Sequence, residues 1–274
     1  MIPEPTQRLL REMAQTHLRI TVLSGAGISA ESGIPTFRGP EGYWTVGAKE
    51  YHPVEMATYR TFQEQPYEVW KWYLYRMGVC AAADPNPGHL AVAAMEKSLP
   101  SRFTLITQNV DNLHLRAGNS LENTYQIHGN IFYARCQTGC GLGVIPLPEG
   151  LKTKEKGEEL SDGEKSLLAC PRCGKLLRPH VLWFDETYDE VHYRFQSSLE
   201  AATQTDLLLT MGTSGATNLP QQVAWRVFQN GGTILDINIE RNPFSELAER
   251  SPGGAFLKGA SAAVLPEMAE LLTV

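Results

Sequence analysis

Four of the five cysteines fall into two close pairs, Cys136/Cys140 and Cys170/Cys173. Thiolates in that pattern hold a metal. Four of them close a tetrahedral zinc site, with Zn–S near about 2.3 Å and no position left open for catalysis. The odd count argues against a disulfide framework. Cys80 is left over and reads as a small buried apolar residue. A second chemical string is Gly25-Ala26-Gly27-Ile28-Ser29-Ala30. Glycines in a G-x-G-x-x-A turn let backbone approach a pyrophosphate whose charge sits at a helix N-terminus. An ordinary dehydrogenase also wants an acidic residue about 20 positions on, at the end of a second strand. Here residues 43–50 read YWTVGAKE, which is no strand end. The string therefore points to a dinucleotide held in another manner.

Further polar groups arrive in short clusters: Gln108-Asn109-Val110-Asp111, His128-Gly129, Gly212-Thr213-Ser214 and Asn238-Ile239-Glu240. Together they offer amide, carboxylate, imidazole and hydroxyl groups, a set suited to sugars and a carboxamide. His128 suits proton removal near neutral pH. Taken alone, a histidine in Tyr-Gln-Ile-His-Gly more often fills a core position.

The elements that must carry these groups are legible from apolar runs. Strands are predicted at Arg19–Ser24, Phe103–Thr107, Asp206–Met211 and Thr233–Ile237, each too short for a typical helix. Helices are predicted at about 4–16, 66–80, 87–98, 189–203, 218–229 and 263–272, with Pro220 in a first turn, where its missing N–H costs nothing. The alternation implies an α/β fold: a Rossmann-like, doubly wound, mostly parallel sheet. Three polar clusters follow predicted strands directly, at the carboxyl ends where ligands bind in such sheets. His128-Gly129 follows no predicted strand. Two stretches break the alternation and read as an inserted small lobe: a helical segment at 40–84 and a zinc-binding module at 131–178. The nucleotide-binding domain is then 1–39, 85–130 and 179–274. The polar run Lys152–Glu159 is expected as an exposed loop.

The chain has 274 residues, 42% hydrophobic and 20% charged, with a formal net charge of −6. No basic field exists to hold nucleic acid. The first residues show no charged region followed by an apolar run, and no apolar stretch approaches the roughly 18–20 residues that span a bilayer. A cytoplasmic protein without a membrane partner is expected. The oligomeric state stays open, with a monomer among the alternatives.

The string GAGISAESGIPTFRG at Gly25–Gly39, followed by Thr107-Gln108-Asn109-Val110-Asp111 and then His128-Gly129, resembles the sirtuin family. The likeness runs in the family's order from about Leu18 to Glu267. It implies an NAD-dependent protein-lysine deacylase with one structural zinc per chain. NAD would be the co-substrate, and acyl-lysine proteins or peptides the partners. By this resemblance, Gly25, Ala26, Gly27, Phe37 and Arg38 match the phosphate and nicotinamide-side loop. Gln108, Asn109 and Asp111 match the ribose and nicotinamide pocket. Gly212, Thr213, Ser214, Asn238 and Glu240 match the adenosine side, and Ser261 a last adenine contact. His128 and Asn109 become the catalytic pair. The implied mechanism has the acyl oxygen attack the anomeric carbon, nicotinamide leave, His128 deprotonate a ribose hydroxyl, and the acyl group pass to ADP-ribose. The family usually shows C-x2-C in the first cysteine pair; the C-x3-C here departs from it.

The stretch Arg178–Glu186 matches the family's border of the acyl-lysine tunnel, where a substrate peptide pairs edge-on. Val181, Trp183 and Phe184 match; Asp185 stands where glycine is common. Tyr73 and Arg76 lie three apart, on one face of a helix, with Ala57 upstream. This combination is similar to the desuccinylase-like sirtuins, in which Tyr and Arg bind an acidic acyl tail. Two competing functions remain: an NAD glycohydrolase or ADP-ribosyltransferase on the same scaffold, and a non-catalytic NAD- and zinc-binding module.

Overall fold

The computed structural model describes residues 2–36, 44–46 and 49–273. Its strands, in chain order, are β1 (Ile20–Ser24), β2 (Trp44–Val46), β3 (Lys49–Tyr51), β4 (Phe103–Thr107), β5 (Thr124–Gln126), β6 (Gly129–Cys136), β7 (Val144–Pro146), β8 (Leu177–Val181), β9 (Leu207–Met211), β10 (Thr233–Asn238) and β11 (Ala255–Lys258). Six of them form one sheet in the order β11-β10-β9-β1-β4-β5, and every pairing is parallel. The central strands are buried on both faces, which is why β1, β4 and β9 read as continuous apolar runs instead of alternating ones. Side chains still divide by parity. Ile20 and Val22 join one core with Leu10, Val92, Met95 and the C-terminal helix Ser261–Leu272. Leu23 faces the other core, built by the helices Phe195–Thr203, Asn218–Gln229 and Pro243–Arg250.

The chain leaves β1 toward β4 and β5 on one side. It returns through β9, β10 and β11 on the other. The switch in direction lies between β1 and β9, where open parallel sheets form their ligand crevice. One carboxylate that this sheet buries is held by three donors. Asp236, inside β10, accepts from Thr210 Oγ1 (2.7 Å), Asn242 Nδ2 (2.8 Å) and Ser245 Oγ (2.6 Å), and so fixes the turn into the helix that follows.

The predicted helices at 4–16, 66–80, 87–98, 218–229 and 263–272 form at Glu4–Ala14, Pro66–Ala82, Pro87–Ser98, Asn218–Gln229 and Ser261–Leu272. The one predicted at 189–203 is two helices, Glu190–Tyr193 and Phe195–Thr203. Arg194 stands between them at φ 54°, a left-handed conformation that ends the first hydrogen-bond ladder. The Glu190 carboxylate then accepts from the main-chain nitrogens of Gln196 and Ser197 and caps the second.

Outside the main sheet, β6 pairs antiparallel with both β7 and β8. Its apolar side chains and those of the helix Pro66–Ala82 share one core, which includes Trp70, Tyr73, Ile131, Leu177 and Trp183. Cys80 is buried there. The polar run 152–159 is the exposed loop expected, anchored at one buried residue. Lys154 is buried, with Nζ 2.9 Å from both Glu158 and Glu164, and its main-chain nitrogen donates to the oxygen of Leu74. Lys71 reaches out to Glu159 at 2.7 Å. A run of alternating charge hides such partners, because periodicity reports apolar faces and not ion pairs. No helix among the described residues is long and apolar enough to cross a membrane.

Candidate functional site

The polar clusters gather at the carboxyl edge of the six-stranded sheet. Gly25–Gly27 follows β1, Gln108–Asp111 follows β4, Gly212–Ser214 follows β9, and Asn238–Glu240 straddles the end of β10. His128 joins them because the short strand β5 ends two residues before it. The glycines act first on each other. The Gly27 N–H donates to the oxygen of Gly212 at 2.8 Å, and Gly212 stands at φ 56°. A Cβ on Gly27 would lie 2.5 Å from Gly212 Cα, and one on Gly25 would lie 2.7 Å from Thr213 Cβ. Both loops can meet at the switch point only without side chains.

Hydrogen bonds tie the strand ends into one web. Asn238 Nδ2 donates to the main-chain oxygen of Thr213 (2.9 Å). Gln108 Nε2 donates to Thr213 Oγ1 (2.9 Å), and Thr217 Oγ1 donates to Gln108 Oε1 (3.0 Å). The main-chain oxygen of Gln108 faces His128 Nδ1 at 3.0 Å. A carbonyl only accepts, so Nδ1 carries the proton and Nε2 holds the lone pair. Burial pushes the His128 pKa down to about 4, so the ring is neutral near pH 7 and able to take a proton. Behind it, Gly129 backs onto β8, where a Cβ would collide with the oxygen of His180.

A second web lies beneath. Ser29 Oγ donates to Asp111 Oδ2 at 2.7 Å and accepts from Asn109 Nδ2 at 3.1 Å. Asp111 Oδ1 accepts from the Leu113 nitrogen, and burial raises its carboxyl above the usual range. His89 Nδ1 accepts from the Asn86 nitrogen, so its Nε2–H points at Ser29 Oγ, 3.3 Å away. Asn109 Oδ1 is buried with no hydrogen-bond partner. A buried orphan acceptor costs free energy unless a ligand donor meets it. That is the fit a carboxamide or a ribose hydroxyl would supply. Ser29 and His89 were not singled out in the sequence, although Ser29 sits inside the string read for its glycines. Ser214 and Glu240 are exposed at the rim, and Ser261 is buried at the start of the last helix. Phe37 and Arg38 lie outside the described residues.

The four paired cysteines converge. Their sulfurs all lie within 4.8 Å of one another, with Cys136–Cys173 at 3.5 Å and Cys140–Cys170 at 3.7 Å. A disulfide would need about 2.05 Å. A zinc tetrahedron of about 2.3 Å bonds has edges near about 3.8 Å, so the donor set fits Zn²⁺. The extra residue of the C-x3-C pair is taken up by Thr138-Gly139, with Gly139 at φ 62° and Thr138 Oγ1 3.1 Å from Cys136 Sγ.

Tyr73, Ala57 and Trp183 pack in the small-lobe core. Trp183 Nε1 donates to the Tyr73 hydroxyl at 2.9 Å, which leaves the phenol's own proton as a donor. The Trp183 ring lies 5.1 Å from Phe62 and under the Arg178 guanidinium at 3.6 Å. Arg76 is half-buried, 5.3 Å from the Trp72 ring. Its positive charge favours the ionised forms of both Tyr73 and Asp111, although burial outweighs it in each. Val181 is buried, whereas Phe184 is 58% exposed and tied through its main-chain nitrogen to the oxygen of Ala57 (3.0 Å). Asp185 accepts from the nitrogens of Tyr59 and Arg60, at 2.7 and 3.0 Å. It caps the helix Tyr59–Glu64, a task glycine cannot perform.

The sequence model of the Sir2 family matches residues 25–218. The chain belongs to the Sir2 family. It is similar to a protein of Leptospira interrogans serogroup Icterohaemorrhagiae serovar Lai (strain 56601) named NAD-dependent protein deacylase, at 41% identity over 91% of each chain. A protein of the same name from Pyrococcus furiosus is 40% identical over 90% of each. Among solved structures, a Sir2 homologue in complex with NAD aligns with a TM-score of 0.78 at 32% identity, over 97% of this chain and 93% of that one. A mutant Sir2 homologue in complex with ADP-ribose aligns equally well, with a TM-score of 0.78 at 32% identity, over 99% and 96%.

Proposed function

We infer that this chain is an NAD-dependent protein deacylase that removes acyl groups from the lysines of proteins or peptides. The activity is carried by the Sir2-family membership and the relatives named for it. The observation that speaks for the chemistry is the state of His128: neutral, with Nδ1–H spent on Gln108 and the lone pair left on Nε2. NAD, when bound, supplies the ribose that accepts the acyl group and releases nicotinamide. The roles assigned to the chain's own residues are these. His128 takes the proton of a ribose hydroxyl. Asn109, with its orphan oxygen, and Asp111 orient the nicotinamide side. The Gly25–Gly27 and Gly212–Ser214 turns hold the phosphates and the adenosine-side ribose, with Asn238 and Glu240 at the rim and Ser261 at the adenine. Phe37 and Arg38 keep the role given by their place in the family string.

We assign Val181, Trp183 and Phe184 to the acyl-lysine channel and its edge, and Tyr73, Arg76 and Ala57 to its closed end. The divisions 1–39, 85–130 and 179–274 against 40–84 and 131–178 remain our reading of the lobes. Cysteines paired at metal-ligand spacing and converging on one point, not set out as a disulfide framework, support a cytoplasmic setting. The test is direct. The enzyme and NAD are incubated with matched acetyl-lysine, succinyl-lysine and unmodified peptides, and nicotinamide and peptide mass are followed. Nicotinamide released in step with peptide deacylation is expected; nicotinamide release that ignores the acyl group would overturn the reading in favour of NAD hydrolysis.

A further inference from the structure

His128 Nε2 already has a partner in this structure. The hydroxyl of Tyr188 lies 2.8 Å from it. The two rings stack, with centroids 5.8 Å apart at 29°, and Phe195 continues the stack behind Tyr188 at 6.4 Å. Because Gln108 fixes the proton on Nδ1, the phenol must be the donor and Nε2 the acceptor. Burial pushes the Tyr188 pKa up to about 12, so it keeps that proton throughout the neutral range and has no use as a base. An aromatic nitrogen offers one in-plane lone pair. It accepts one good hydrogen bond, and a second donor must replace the first.

We propose that Tyr188 is a positioning residue that masks the lone pair of His128 until a ribose hydroxyl replaces it. The proposal rests on the reading of His128 as the general base. The neighbourhood suits an exchange. Tyr188 is half-buried, and Thr187 and Asp189 on either side of it are exposed. Thr217, which donates to Gln108 Oε1, lies beside Tyr188 and keeps an oxygen lone pair to which the phenol can turn. The mask keeps the imidazole oriented while the crevice is open, at the cost of a hydrogen bond that the ligand must displace.

The test is a double-mutant cycle on ADP-ribose affinity, read by calorimetry in wild type, Tyr188→Phe, His128→Ala and the double variant. Phenylalanine keeps the ring stack and deletes only the hydroxyl. Tyr188→Phe is expected to tighten ADP-ribose about two- to tenfold, the worth of one neutral hydrogen bond. The gain is expected to vanish in the His128→Ala background. An unchanged or weaker affinity in Tyr188→Phe would overturn the mask, and so would the same gain with His128 absent. A fall in kcat at unchanged affinity would make Tyr188 a proton relay and overturn it as well. The base itself is tested separately: near-wild-type turnover in His128→Ala would remove that role, while the affinity cycle would still report the contact.

Discussion

Nδ1 of His128 faces the main-chain oxygen of Gln108 at 3.0 Å, and this contact decides which ring nitrogen can act as a base. A main-chain oxygen cannot be mutated away, so the tautomer is built into the turn after β4. His128→Ala is expected to lower turnover by about 10²–10⁴, the usual share of a general base. The fold and NAD affinity should be nearly retained. Steady-state deacylation beside NAD binding checks this; near-wild-type deacylation would sink the assignment.

The same burial sets the pH response. His128 stays neutral until about pH 4 in the free enzyme, so the acid limb of kcat/KM that it governs should fall well below the ordinary histidine value of about 6.5. A limb at or above about 6.5 would mean that the ring is solvated in the working state. The measurement is kcat/KM for NAD from pH 4.5 to 9, with fold checked at each point.

Stability should respond in the same direction through several histidines. His89 is lowered to about 4, His180 to about 3, and His114 well below its ordinary value, all mainly by burial. Each is depressed in the folded state. The stability it contributes is therefore full above about pH 6.5 and is lost as pH falls toward the folded values, because the unfolded chain binds protons that the native one refuses. Each histidine contributes a slope of at most about 1.4 kcal/mol per pH unit in that window. Denaturant unfolding at pH 7.5, 6.0 and 5.0 should show falling stability. A flat profile would contradict it.

Much of this site was legible in the residues, because its groups sit in contiguous strings at the ends of apolar runs. The turn after β1, Gln108–Asp111 and Gly212–Ser214 each follow a strand that announces itself by burial on both faces. His128 did not, because β5 is only three residues long and half-exposed, with no periodicity to detect. Tyr188 was missed for a different reason. Nothing in Thr187-Tyr188-Asp189 marks it, and its meeting with His128, 60 positions away, is a product of the fold alone. Asp185 shows the converse. The sequence exposed it as a departure from the family, but only the geometry gives it the task of capping the helix Tyr59–Glu64.

The zinc site is open to a metal count. One Zn per chain is expected, held by Cys136, Cys140, Cys170 and Cys173, whose sulfurs are spaced for it. Cys173→Ala should lose the metal and loosen the core that Cys136 and Cys170 share with Trp70 and Leu177, since metal binding energy is folding energy in such modules. Cys80→Ser should leave the metal content unchanged. Elemental analysis of folded protein decides it, and active protein without zinc would refute the site.

Acyl choice is the most exposed prediction, and it turns on Tyr73 and Arg76. The Tyr73 hydroxyl accepts from Trp183 and keeps a proton to donate, and Arg76 acts electrostatically on that same phenol. An acidic acyl tail reaching this end would meet a hydroxyl donor and a guanidinium fork. A charge-assisted hydrogen bond is worth roughly 1.5–3 kcal/mol, so Arg76→Met should lower kcat/KM on succinyl-lysine about ten- to a hundredfold. Acetyl-lysine has no carboxylate, and its kcat/KM should change little. Ala57 is buried in the same core as Tyr73 and Trp183, so Ala57→Phe should crowd the channel and penalise succinyl more than acetyl. The decisive comparison is the ratio of kcat/KM on the two peptides, variant against wild type. Equal losses on both would make Arg76 structural. Wild-type activity on acetyl-lysine alone would remove the acidic-acyl assignment altogether.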